Sequence, residues 1–188
     1  MDAFIETIYL NEILKQCEYA VSAVHRMDEI LRSRELPSEF FRAAGYFLQH
    51  SCAVSRLLWP PGDRNREKKK RAKLRGTFLR NSLKIPDAHV LHSRTIRDHL
   101  EHFDDRLDDW VENSPHRNIV DDMIGPRSAI GGSTINDKDI MRLYDPDKRY
   151  FIFRGERFDM QAIVEGVLDI QSKAKVRFLE IESNKRPL

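Results

Sequence analysis

Apolar residues recur every three or four positions through the first part of the chain. Phe4, Ile5, Ile8, Ile13, Cys17, Ala20, Val24, Met27 and Leu31 keep this spacing over residues 4–33, which predicts one long amphipathic helix. Pro37 interrupts it, and Ser38 is the kind of residue that caps a new helix. A second helix is expected over 39–58, with Phe40, Ala43, Ala44, Phe47, Leu48, Cys52, Val54 and Leu58 on its apolar side and a stop at Pro60-Pro61-Gly62. A third is expected over 88–112, where Ile96, Leu100, Phe103, Leu107, Trp110 and Val111 fall within an arc of roughly 100°. The last, over 158–182, carries Met160, Ile163, Val164, Val167, Ala174, Phe178 and Ile181, with Asp159 placed to cap its first free N–H groups.

Between the third and last helices the period changes. Residues 113–138 are dense in Gly, Pro, Ser, Asn and Asp, and the expectation is a long loop that wraps the bundle or a neighbouring subunit. Two runs rich in β-branched and aromatic residues, 139–144 and 149–154, flank Asp145-Pro146-Asp147-Lys148. Proline at the second turn position predicts a β-hairpin. The expected fold class is mainly α, a four-helix bundle with a β-hairpin inserted before the last helix. It is read as a single domain over 1–188, with 63–84 as a basic connecting segment, 113–138 as a loop and 139–155 as the insertion.

Composition sharpens this picture only locally. The chain has 188 residues, 40% hydrophobic and 33% charged, enough for a core with well-solvated helix faces; a net charge of +2 selects no partner. The charge is concentrated in "RNREKKKRAKLR", residues 64–75, where Arg64, Arg66, Lys68, Lys69, Lys70, Arg71, Lys73 and Arg75 stand against one carboxylate. Such a run is a solvated helix face, continuing to about Ser82, or a strip that displaces counterions from RNA phosphates. It holds no aromatic residue, so base stacking is not indicated there. Cys17 and Cys52 sit within apolar helical stretches and are expected to be buried reduced thiols. No basic stretch precedes a continuous apolar run near Met1, and no segment approaches about 18 uninterrupted apolar residues. The expectation is a cytoplasmic chain with no membrane partner.

The third helix poses the chemical question. Opposite its apolar arc lie Arg97, Asp98, Glu101, His102, Asp105, Asp108 and Asp109, with His99 near the border. One reading is a solvated face carrying an Arg97–Glu101 pair at i, i+4. The other is phosphodiester chemistry, because histidine exchanges a proton near neutral pH and arginine grips phosphate through two parallel donors. A metal site built on His99 and His102 lacks any HExxH or ExxH spacing, so no metal or cofactor is expected. "IGGST" lacks the lysine of a phosphate-binding loop.

The stretch "RTIRDHLEHFDDRLDDW" resembles the R-x4-6-H signature of the HEPN superfamily, including the polar residue after the arginine. The resemblance implies a small helical bundle, commonly a homodimer, and in many members a metal-independent endoribonuclease of a toxin–antitoxin, abortive-infection or CRISPR-associated system. It implies RNA as substrate and allows an antitoxin partner. On it, His102 is the general acid–base, Arg97 the phosphate clamp and Asp98 the residue that orients either of them, and two such helices meet across a two-fold axis. His99 is read as structural. The alternative is a non-catalytic dimerisation or partner-binding module, for example beside a nucleotidyltransferase. Seven carboxylates over 98–112 oppose RNA binding unless the strip at 64–75 borders the cleft.

Overall fold

The architecture comes from a computed structural model that describes residues 2–62, 65–95, 98, 100, 102–131 and 135–184. Three long helices form its centre: α1 (Ala3–Ser33), α2 (Pro37–Leu58) and α5 (Met160–Asn184). Asp2 starts α1 by accepting the Ile5 N–H at 2.9 Å. Arg34 ends it in the left-handed region (φ 54°), with its N–H on the Ile30 carbonyl. α2 begins one residue before the expected Ser38 cap: Pro37 occupies the first turn, where its missing N–H costs nothing. Asp159 caps α5 as expected, accepting the Ala162 N–H at 3.0 Å.

The core stripe of α1 is Leu10, Ile13, Cys17, Ala20, Met27 and Ile30, packed on α2 and α5. Phe4, Ile5 and Ile8 do not belong to it and are exposed. The buried line instead runs back through Glu6, whose carboxylate accepts Arg177 Nε at 2.8 Å, Arg177 Nη2 at 3.1 Å and the Ser82 hydroxyl. Hydrogen bonding from Arg177 holds the Glu6 carboxyl below its ordinary value. Its stabilising effect is therefore present above the unfolded carboxylate range and lost as pH falls through the folded value. Arg177→Met is expected to cost about 2–3 kcal/mol at neutral pH, the low side for a broken buried pair because Arg177 is about a third exposed. Urea denaturation will show that deficit shrinking as Glu6 takes up a proton in mild acid. Both cysteines are buried, and burial pushes the Cys17 thiol up to about 12.

α3 (Arg66–Ser82) starts at Asn65, which accepts the Lys68 N–H at 3.0 Å. It crosses the end of α2 so closely that a Cβ on Gly76 meets the Leu58 carbonyl oxygen at 2.5 Å and Pro60 Cδ at 2.7 Å. Gly76→Ala, which stabilises most helix interiors, is expected here to cost about 1–3 kcal/mol, read as a lower denaturation midpoint. Arg75 and Arg80 cap α2: Arg75 donates to the Leu57 and Arg56 carbonyls at 3.3 and 3.1 Å, and Arg80 donates to Leu58.

The helix expected over 88–112 is not continuous. Val90–His92 form a short 3-10 turn wedged between α2 and α5. Leu91 is buried, its carbonyl accepts the Ser55 hydroxyl at 2.6 Å, and His89 and His92 both stack on the Trp59 ring. Thr95, Asp98 and Leu100 are helical, but His102 is not (φ −123°, ψ 41°). A separate helix, α4 (Phe103–Asn113), follows, and no residue of it is fully buried. Its packed edge meets the sheet: the Phe103 and Phe153 rings lie 5.8 Å apart, and Trp110 Nε1 donates to the Asn118 carbonyl and Asp139 Oδ1.

The expected hairpin is the centre of a four-stranded sheet, β1 (Met123–Ile124), β2 (Leu143–Asp145), β3 (Tyr150–Phe153) and β4 (Glu156–Asp159), in that order. β1 runs parallel to β2, and the other pairs are antiparallel. Asp145 fixes the predicted turn by accepting the Asp147 and Lys148 N–H groups. Arg154 (φ 51°) and Gly155 (φ 84°) make the tight turn into β4. One face of the sheet sends Tyr144, Phe151 and Phe153 to the bundle. The other packs Leu143 and Ile152 on Ile130 and Ile140, so the segment expected as a bare loop supplies both a strand and a second small core.

Candidate functional site

The exposed side of α2 places Arg42, Tyr46, Gln49 and Arg56 along one wall of a cleft of about 540 Å³. Phe41 and Cys52, both buried, form its floor, and Leu100 and Arg142 close the far side. Arg142 precedes β2 and is held rigidly. It grips Asp121 through two bonds of 2.8 and 2.7 Å, lies 3.1 Å from Asp122, and covers the Phe103 ring at 5.7 Å. Hydrogen bonding to Asp121 raises the Arg142 pKa further above its ordinary value, so its charge is permanent. Arg42 pairs with Glu39 one turn away. Three guanidinium groups thus border one concave surface beside an exposed tyrosine.

Of the residues the sequence singled out, Asp98 and His102 lie one turn apart. The His102 N–H donates to the Asp98 carbonyl at 3.1 Å, and the Asp98 N–H donates to Arg94 at 2.8 Å. Both side chains are exposed. His102 Nδ1 stands 3.3 Å from Asp105 Oδ2. Both partners of this i, i+3 pair are solvent-exposed. Leu100, inside the same six-residue stretch, is the point at which that stretch meets the arginine-bordered cleft. Arg97, Arg64, Ile96, His99 and Glu101 lie outside the described residues.

Arg66, Lys68, Lys69, Lys70, Arg71 and Lys73 are exposed along α3, while Arg75 is turned to the carbonyls of α2. Among the described residues no hydrogen bond or ion pair joins α3 to Asp98 or His102. The sequence reading missed Arg42, Tyr46, Arg56 and Arg142. Their only advance signal was a polar face of α2 carrying two arginines and a tyrosine, where attention fell on the apolar face. Among the described residues no group of three or more His, Cys, Asp or Glu side chains is placed to hold a metal ion. No described helix is long and apolar enough to cross a membrane. No family model, curated protein or solved structure matches the chain.

Proposed function

We propose that the chain is a HEPN-like, metal-independent endoribonuclease of a toxin or phage-defence system, acting in the cytoplasm as a homodimer. The observation that carries this reading is the position of Leu100. It lies two residues before the exposed His102 and lines a cleft bordered by Arg42, Arg56 and Arg142. RNA phosphates held by those guanidiniums meet the imidazole at the cleft's edge.

The reaction is an internal transfer. The ribose 2′-oxygen attacks the adjacent phosphorus and forms a new O–P bond as the bond to the 5′-oxygen breaks. The products are a 2′,3′-cyclic phosphate and a free 5′-hydroxyl. His102 moves one of the two protons involved, and Asp105 keeps its ring turned toward the substrate. Arg97 neutralises charge growing on the phosphate, and Asp98 orients Arg97 or His102. The partner protomer's equivalent stretch supplies the second proton-transfer group.

The deciding experiment incubates the full chain with single-stranded RNA in the presence of a chelator and identifies the ends produced. Cyclic phosphate ends, and no cleavage where the 2′-hydroxyl is replaced by hydrogen, are expected. RNA left intact by the wild-type chain overturns the reading. The non-catalytic partner-binding alternative draws on α4, whose Leu107 and Val111 are exposed among carboxylates. It predicts intact RNA in every arm.

A further inference from the structure

α4 shows two contrasting edges. Phe103, Arg106 and Trp110 are half-buried against the rest of the molecule. Beside them Leu107 and Val111, one turn apart, are exposed, and Asp104, Asp108 and Glu112 border them on the outer side. The helix carries five carboxylates and a single guanidinium, Arg106. It is an amphipathic helix whose second apolar edge stays exposed among the described residues.

The complementary surface lies on α1 and α3. A groove of about 550 Å³ runs between them, with Ile5, Tyr9, Leu74 and Phe78 as its apolar walls and Arg71 at its rim. Leu74 is 63% exposed, and Phe4 and Ile8 extend the apolar surface along α1. α3 bears eight lysines and arginines against Glu67 alone. A groove with apolar walls and a cationic rim fits a helix with an apolar edge and an anionic border.

We infer that this groove receives α4 of a second copy of the chain. Leu107 and Val111, at i and i+4, enter between Leu74 and the α1 residues Ile5 and Tyr9. Asp104, Asp108 and Glu112 face the cations of α3. The contact joins two different surfaces, so it is heterologous and separate from any two-fold pairing of the 97–102 stretch. RNA is a weaker fit to the same groove, since a polyanion answers the cations but leaves the apolar walls uncovered. The pairing also gives the carboxylates of α4 a role that a nucleic-acid-facing helix does not explain.

The test is the mass of the full chain in solution, measured by sedimentation and light scattering, a readout independent of RNA cleavage. Self-association at low ionic strength is expected to weaken about tenfold or more as salt rises from ~0.05 M to ~0.5 M. Lys70→Glu with Arg71→Glu, and separately Asp104→Lys with Asp108→Lys, should each abolish it. An equimolar mixture of these two variants should associate again, because α4 of the first complements α3 of the second and the two reversed surfaces complement each other. The chain carrying all four changes should self-associate again, which also shows that the altered surfaces remain folded. Leu107→Ser should weaken association without changing charge. A wild-type chain that stays monomeric at low salt overturns the inference. So does association that ignores both charge reversals, or an α3 reversal that abolishes only RNA binding.

Discussion

His102→Ala is expected to slow RNA cleavage by about 10²–10⁴-fold, the range typical of a lost general acid–base group. The side chain is 57% exposed and paired only with the exposed Asp105 among the described residues. Its removal should therefore change the unfolding free energy by less than about 0.5 kcal/mol. That contrast between rate and stability separates a chemical role from a structural one. Arg97→Ala should produce a comparable loss of rate. Asp105→Asn keeps the ring's neighbour but removes its charge, and should give a smaller loss with an altered pH–rate profile. Equal cleavage by wild type and His102→Ala would remove the histidine from the chemistry, whatever the RNA-binding strength.

The largest loss of stability is expected from Phe40→Ala, about 3–5 kcal/mol. Phe40 is fully buried on α2, with its ring 5.4 Å from that of Phe41 and 4.6 Å from that of Tyr144. The Tyr144 contact joins the bundle to the sheet, and Phe41 repeats the join through Phe151 at 6.0 Å. Truncation therefore leaves a cavity at the boundary between the two layers rather than inside one of them. The denaturation midpoint should fall with little change in slope if both layers still unfold together. A second transition, with sheet signals lost first, would show that this ring is what couples them. Phe40→Leu fills most of the space and should lose less.

The long helices were legible in the sequence because residues such as Ile13, Cys17, Ala20 and Met27 repeat one spacing over several turns; the buried line also takes in Leu10 and Ile30, while the expected Val24 and Leu31 are only half-buried. Periodicity misplaced the start of α1, where Glu6 holds the buried line and Phe4 and Ile8 are exposed. The spacing of Phe103, Leu107 and Trp110 marked a helix correctly but not its partner: an apolar arc fits a sheet as well as a bundle. Nothing local announced that Leu91 would be drawn inward and break the expected helix at a 3-10 turn. β1 is two residues long, and β4 is mostly exposed, so neither shows the alternation that identifies a half-buried strand. The glycine after Arg154 was the available sign of β4. At the site, Asp98 and His102 were legible as neighbours on one stretch. The cleft was not, because Arg42, Arg56 and Arg142 converge only once the sheet is packed beside α2.

The Glu6–Arg177 pair fastens the beginning of α1 to the far end of α5, across 171 positions of chain. α1 and α2 can zip together early in synthesis, since only a short turn separates them. The strip of α1 that α5 covers has to wait until the ribosome has made residues 160–184. During that interval this face of α1 stays open, so the apolar seam between the first and last helices closes last.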